Sequence, residues 1–538
     1  MAAGYLIGTI MFDTLGVVPI LTNAGIAVLP AVLAGISSVV VLLFKPREAL
    51  ALFRRKPHIP VIAGVVLVAV AGGIWWLTLP TETAARTAPA TVAKTDWTAV
   101  ALQILREEKL AGHTPTVSET LPVATLPTGA FNRRGNFLRN GHLGGSAPRG
   151  LQPLWEYKSE GSSYYLSDVA VDNGRIYTAG ILQDLGTFYG VLTCLDARGQ
   201  KIWEVTQAGK EPLKGFFSSP SLSADGKYLV IGQGLHTDKG CALLCFETAT
   251  GKLLWSQKTP LNHIEGSPAV LGDLAVVGAG AIEDEQGKVT EGPGVVIAVR
   301  ISTGERLWEY TVIDPEGAPA IADDGTVYIG SGINGHAVVA LRSETDAELK
   351  KLGQPRLLWS TKMDHPALGA VTLAGDKLLI GIGEGDFVKA APVPAGKAVC
   401  LDRKTGTILW QTPLGDAVLG AIAVVDDTAY APIRSGELAA LQLTDGKLLW
   451  RQAISGKAPL LASPAVAGRY VYAVANDGTL AILQRSDGKV LETTQVNSPT
   501  MPGQDGFSVS SPVVVDGRLY VGSETGGLRC FVGGKEAP

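Results

Sequence analysis

The sequence predicts an all-β fold, an eight-bladed β-propeller whose N-terminal strand closes the last blade, preceded by two or three transmembrane α-helices. Three observations carry that expectation. A short phrase, containing Trp in seven of its copies, recurs eight times between residues 154 and 494, at intervals of about 40 to 53 residues. Each interval holds four short apolar runs separated by Gly-containing turns, the pattern of hairpin-linked antiparallel strands. Much of the chain's excess hydrophobicity sits apart from the repeats, in residues 1–79.

That N-terminal region divides into apolar runs at 5–21, 26–44 and 59–79. The second and third are free of charge and close to the ~20 residues that span a bilayer. The first is shorter and carries Asp13 and Pro19, so it either pairs with the second as a tight hairpin or lies re-entrant. Asp13 reads more readily as an acid paired within an imperfect anchor than as an intramembrane functional group. The loop KPREALALFRRKP (45–57) carries Lys45, Arg47, Arg54, Arg55 and Lys56 against Glu48 alone. An excess of basic residues marks the cytoplasmic side. The third helix, closed by Trp75 and Trp76, then exits to the other side. The expected location is the cytoplasmic (inner) membrane, with everything after Leu79 periplasmic or extracellular. No basic region precedes the first apolar run, so a cleaved signal peptide fits poorly.

Residues 80–152 read as a linker. The stretch 80–94 is rich in Thr, Ala and Pro and has too few bulky apolar groups to pack. A helix is expected near 96–110, with Asp96 as N-cap, Trp97, Val100, Leu102, Ile104 and Leu105 apolar, and Gly112 after its end. Residues 113–131 return to Pro/Thr-rich spacer.

The repeats occupy 153–533, roughly 48 residues per blade, with 534–538 as a tail. The phrases are LWEY at Trp155, KIWEV at Trp203, KLLWSQ at Trp255, RLWEY at Trp308, RLLWST at Trp359, TILWQT at Trp410 and KLLWRQ at Trp450. The eighth is KVLETT, with Leu491 where Trp would stand. The seventh unit shows the four runs plainly: SPAVA (463–467), YVYAVA (470–475), TLAILQR (479–485) and KVLETT (489–494), joined by turns such as NDG and SDG. The first phrase is a fourth strand with no blade before it, while the last unit (510–531) lacks a fourth strand. The N-terminal strand therefore completes the eighth blade and removes an open sheet edge.

Composition narrows the function. With 46 basic and 50 acidic residues among 538, the net charge is −4 and no long basic run exists, which argues against a nucleic-acid partner. The 65 glycines belong largely to propeller turns. Four of the five cysteines, Cys194, Cys245, Cys400 and Cys530, fall at one repeat position where other blades carry Ala298, Ala340, Ala440 and Ala481, a site for a small residue. Cys241 and Cys245, along one strand, are too far apart to bridge. Five free thiols are expected. Gly330-Ser-Gly-Ile-Asn-Gly335 matches a dinucleotide fingerprint, but it joins two strands rather than entering a helix. The seven histidines show no metal-ligand spacing.

The phrases CLDARGQKIW (194–203), CFETATGKLLW (245–255), CLDRKTGTILW (400–410) and ALQLTDGKLLW (440–450) resemble the tryptophan-docking repeat of pyrroloquinoline-quinone-type propellers. The resemblance spans 153–533. It implies that Trp155, Trp203, Trp255, Trp308, Trp359, Trp410 and Trp450 pack between adjacent blades, as structural rather than ligand-binding residues. The superfamily includes calcium- and quinone-dependent alcohol and sugar dehydrogenases as well as non-catalytic propellers similar to BamB. A dehydrogenase needs a Glu/Asn/Asp calcium set, a catalytic Asp and a stacking aromatic, which the motifs do not assemble. The adjacent-cysteine disulfide of many catalytic relatives and a CxxCH haem motif have no counterpart. The expected reading is a non-catalytic scaffold for a protein or peptide, in cell-envelope assembly, with no catalytic, cofactor-binding or metal residue. The alternative is a dehydrogenase using pyrroloquinoline quinone and calcium.

Loop lengths place the binding face. First-to-second and most third-to-fourth turns are tight, with the 343–356 insertion as the main exception. Length collects in the blade-to-blade connections and the second-to-third loops, which emerge on the opposite face, where partners are to be sought. Candidate residues there are Glu283, Asp284, Glu285 and Glu291, an acidic loop, and the pairs His263 with Glu265 and Asp364 with His365, just before first strands. Those pairs read as satisfied loop polar residues in preference to an acid/base or calcium site.

Overall fold

A computed structural model describes residues 136, 138–142, 146–160, 162–184, 187–284, 288–456, 458–498 and 508–534. The runs at 5–21, 26–44 and 59–79 and the helix expected near 96–110 lie outside the described residues. Among the described residues no helix is long and apolar enough to cross a membrane.

Eight antiparallel sheets, each built on four main strands, make an eight-bladed propeller. Blade 3, for example, consists of Ala269–Leu271, Leu274–Glu283, Val295–Arg300 and Arg306–Thr311. Blade 8 takes its first three strands from the C-terminus, Val513–Val515, Arg518–Ser523 and Gly527–Gly533, and its fourth from Leu151–Tyr157. The closing strand runs antiparallel to the last one, with Trp155 opposite Cys530. The inner strands alternate small and branched residues, and their buried faces form an apolar cluster at each of the eight seams between blades.

Seven seams share one fastening. Each Trp of a fourth strand reaches the third-to-fourth turn of the next blade and donates its Nε1–H to a carbonyl there. The acceptors are Ala197 for Trp155 (3.2 Å), Thr248 for Trp203 (2.9 Å), Ile301 for Trp255 (2.7 Å) and Ser343 for Trp308 (3.0 Å). Arg403, Leu443 and Arg485 receive Trp359, Trp410 and Trp450 at 3.1, 2.9 and 3.0 Å. The turn glycine lies flat under the indole: Gly446 has φ +73°, and a Cβ on it would stand 2.5 Å from Cε3 of Trp410. Blade 4 departs from the pattern because the 343–356 insertion, which carries the helix Asp346–Leu352, replaces its tight turn. There Arg356 stacks its guanidinium 4.4 Å from the Trp308 ring, covering the indole where the other blades use glycine.

The eighth seam, between blades 7 and 8, has no tryptophan. The register corrects the sequence alignment. Glu492, not Leu491, stands at the Trp position, because the bulge that skips Leu449 beside Trp450 skips Leu491 beside Glu492. The residue facing it is Ile482 rather than Ala481. The Glu492 carboxylate accepts backbone N–H groups from Gly150 (2.7 Å) and Leu151 (2.6 Å), where the closing strand begins.

A belt of hydrogen bonds circles part of the axis, each made between neighbouring blades just before their first strands. Backbone N–H groups of Ala421, Ser463, Ser511, Asp168 and Ser219 donate in turn to side chains of Ser463, Ser511, Asp168, Ser219 and Ser267, at 2.6–3.1 Å. Ala318, Ala370 and Ala421 complete the circle as an apolar arc.

Residues 138–142, within the stretch that composition assigns to the linker, cross the axis. The carbonyls of Leu138, Asn140 and Gly141 accept from Leu373, Val424 and Val466, on the first strands of blades 5, 6 and 7. Arg139 is fully buried and donates to the carbonyls of Ser267 (3.2 Å) and Pro268 (2.6 Å) in blade 3, across the channel. Ser146 and Ala147 then lie over the first-to-second turns of blades 8 and 7, beside Gly517 and Gly468. The tight-turn end of the channel is therefore closed by the chain's own N-terminal segment.

Candidate functional site

The opposite mouth of the channel is lined by the residue two positions before the belt residue of each blade. In six blades it is apolar: Leu166, Phe217, Leu368, Leu419, Leu461 and Val509. Leu368, Ala417, Leu419 and Leu461 gather there, with Phe387 and Val509 against them. Blades 3 and 4 place Glu265 and Glu316 at this position instead. The phrases NHIEGSP (262–268) and IDPEGAP (313–319) are in repeat register, so His263 and Asp314 also correspond.

Around the two glutamates stand His236, from the second-to-third loop of blade 2, and Glu283, at the end of the long second strand of blade 3. His236 Nε2 lies 3.3 Å from Glu265 Oε2, and its Nδ1 lies 3.6 Å from Glu316 Oε1. His263, fully buried, brings Nε2 to 3.2 Å from the same Glu316 oxygen. The two imidazoles meet edge to face at 4.8 Å. Backbone bonds hold the frame: the His236 N–H donates to Glu265 Oε1 (3.0 Å), and the Glu283 N–H to the His236 carbonyl (2.9 Å). Asp314 sits at φ +54°, a costly conformation outside glycine, with Oδ2 accepting from the Asn334 N–H at 3.2 Å. Gly280 borders the cluster, and a Cβ on it would stand 2.5–2.7 Å from the His263 ring and Glu316 Oε1.

The charges are strongly coupled. Burial works against the imidazolium of His236, but Glu316, Glu265 and Glu283 outweigh it and lift its pKa to about 10. Burial opposes the charge of Glu316 as well, and His236 and His263 overcome it, holding the carboxyl well below the usual range. Burial pushes Glu265 up and, with the Glu316 charge added, raises Asp314 to about 7.

Three residues singled out from sequence, His263, Glu265 and Glu283, thus come together with three that were not, His236, Asp314 and Glu316. The repeat of HIEGSP as DPEGAP was the available signal for the last two. Asp284 lies beside the cluster and ties its own loop through Lys288 (2.9 Å). Glu285 and the side chain of Glu291 lie outside what is described. Asp364 pairs with Lys397, and His365 Nδ1 with Glu384 Oε1 at 2.7 Å, outside the cluster. The five cysteines are free and buried. Burial pushes the thiols of Cys194, Cys241, Cys245 and Cys400 up to about 12, which leaves them unreactive. The Gly330–Gly335 motif forms the tight link between the second and third strands of blade 4.

A groove of about 830 Å³ opens on the same face, over blades 1 and 2. Phe188, Tyr189, Pro212 and Leu213 give it apolar walls, and Lys214, Lys239 and Lys258 line it with Glu211 and Asp238. Phe188 is 57% exposed. Lys258 and Glu211 are 2.7 Å apart, Lys214 and Asp238 3.8 Å.

The family model described as outer membrane protein assembly factor BamB matches residues 147–385 and 394–533, and the chain belongs to that family. No curated protein matches the chain. Among solved structures it is similar to BamB from Moraxella catarrhalis, at 16% identity and a TM-score of 0.52, over 72% of this chain and 99% of that one. It is similar to the quinohemoprotein alcohol dehydrogenase from Comamonas testosteroni, at 15% and 0.53, over 76% and 82%. It is also similar to Chaetomium thermophilum Sqt1 bound to the N-terminus of the ribosomal protein L10, at 15% and 0.51, over 70% and 97%. At these identities the likeness is one of fold.

Proposed function

We propose that this member of the BamB family is a non-catalytic, protein-binding propeller held on the extracytoplasmic side of the cytoplasmic membrane, where it receives an extended segment of a partner during cell-envelope assembly. The observation that carries the reading is the asymmetry of the two faces. One is trimmed to tight turns and closed at its centre by residues 138–142, while the other bears the long loops and a groove lined by exposed Phe188 and three lysines. Residues 138–142, 146 and 147 lie on the trimmed side, away from the groove. A rigid ring that presents loops and unpaired outer strand edges suits capture of an extended chain, with apolar pockets for side chains and backbone groups for the strand. Sqt1, a propeller of the same fold bound to a protein N-terminus, supports the precedent. No quinone cofactor enters this reading.

A photo-crosslinking residue at Phe188 in native membranes is expected to yield a discrete adduct, and the same residue at Lys404, on a third-to-fourth turn, none. Equal labelling from both positions would remove the argument from facial asymmetry. Stoichiometric binding of pyrroloquinoline quinone with Ca²⁺, accompanied by dye-linked alcohol or sugar oxidation, would replace the scaffold with a dehydrogenase.

A further inference from the structure

The charged sector of the channel mouth has the makings of a metal centre, and its chemistry is independent of the groove. Four side chains converge from three successive stretches of chain: His236, His263 with Glu265, and Glu316. The donor atoms of His236, His263 and Glu265 all lie within 4.8 Å of one another, and so do those of Glu283, Asp314 and Glu316. The separations of 3.3 Å from His236 Nε2 to Glu265 Oε2 and 3.2 Å from His263 Nε2 to Glu316 Oε1 match the edge of a tetrahedral zinc shell, about 3.3 Å for ligand bonds near 2.0–2.1 Å, with His236 binding through Nε2.

Two further observations point to a ligand rather than to paired side chains. His263 is fully buried, and neither of its ring nitrogens, nor Glu316 Oε1, has a hydrogen-bond partner among the described residues. The 3.2 Å approach between them lacks hydrogen-bond geometry, as expected when both atoms aim at a point between them. Glycine at position 280 leaves open the space that any Cβ would fill against these same atoms. Four carboxylates gathered around two imidazoles, with His263 fully buried among them, make a place where a cation offsets the excess negative charge.

We infer that His236, His263, Glu265 and Glu316 bind one divalent transition-metal ion of the zinc class, with Glu283 and Asp314 as the acids around it. Imidazole donors favour such an ion over calcium or magnesium, which take oxygen shells. The ion would lock blades 2, 3 and 4 together at the mouth.

The test uses the full-length, untagged protein in detergent, stripped with a chelator and incubated with Zn²⁺, and in parallel with Co²⁺ as a spectroscopic probe. The expected result is one Zn²⁺ per chain retained through gel filtration, and a visible d–d absorption of four-coordinate Co²⁺. Because the His236 side chain is 47% exposed, His236→Ala is the variant least able to disturb folding. It and Glu316→Gln are each expected to lower Zn²⁺ affinity at least 100-fold with the circular dichroism unchanged, while His365→Ala leaves stoichiometry and affinity as they were. Failure to retain zinc, zinc binding unaffected by both variants, or binding of Ca²⁺ that Zn²⁺ does not displace would each overturn the assignment.

Discussion

The seam between blades 7 and 8 differs from the other seven, and the difference shows what the tryptophan does. In seven places an indole lies on the third-to-fourth turn of the following blade and donates to a carbonyl within it. Blade 8 has no such turn, because its fourth strand arrives from the other end of the chain. An indole at position 492 would have nothing to lie on. What the ring offers there is the beginning of a strand, with backbone N–H groups not yet paired, and a carboxylate is the group that can hold them. Glu492 is thus the counterpart of a tryptophan at a joint of different construction. Blade 4 teaches the same lesson in milder form, since losing its turn glycine to an insertion brings in Arg356 as a substitute cover.

The contrast can be broken in order of severity. Trp410→Ala removes an indole that is 8% exposed together with its bond to Leu443, and is expected to cost about 3–5 kcal/mol in denaturant unfolding. Glu492→Ala leaves two N–H groups without their acceptor and is expected to cost about 2–3 kcal/mol. Glu492→Trp recovers none of this, whereas an indole that docked at any seam would restore it. Arg356→Ala uncovers Trp308 and releases Asp346, an expected loss of about 2 kcal/mol; Arg356→Lys regains less than half, because a point charge cannot stack as a plane does.

The smallest effect concerns the neighbouring seam, between blades 8 and 1, where Glu204 accepts from Ser159 (2.6 Å) and Tyr157 (2.8 Å). Burial pushes the Glu204 carboxyl up, but those hydroxyls and Lys201 prevail and lower its pKa below the ordinary 4.5. A folded-state value below the unfolded one contributes stability above pH 4.5 that is lost as pH falls through the folded value. In Glu204→Gln the acid limb of the stability curve should flatten by under about 1 kcal/mol, with no change in slope above pH 6. An unchanged acid limb would assign the low pKa no part in closure.

The blade number and strand order were legible in the sequence because Trp and Asp-Gly turns are local signals that repeat. Position 492 was not, because apolar similarity aligned Leu491 with Trp, and only the strand register, with its bulge, shows which residue faces the seam. The closure of the channel by residues 138–142 was hidden for another reason. Leu-Arg-Asn-Gly-His (138–142) falls within the stretch read as linker by composition, and Arg139 is held by carbonyls that lie more than a hundred residues away. The site was half legible. His263, Glu265 and Glu283 stood out as charged residues on long loops, but ligand spacing along the chain says nothing when donors come from separate blades. Glu316 required reading the repeat as a comparison of blades, which makes an acid at an apolar position visible.

The pairing of Leu151–Tyr157 with Gly527–Gly533 sets a timetable for the nascent chain. Its closing strand is made early and must wait for nearly four hundred more residues before its partner emerges. Until then both ends of the stack are bare sheet edges, open to any strand nearby. A chain that stalls before residue 527 cannot finish, however well its blades have formed. The C-terminal strand therefore decides whether the ring is completed: truncation there should leave the protein sensitive to proteolysis, while loss of the same length from an outer loop should not.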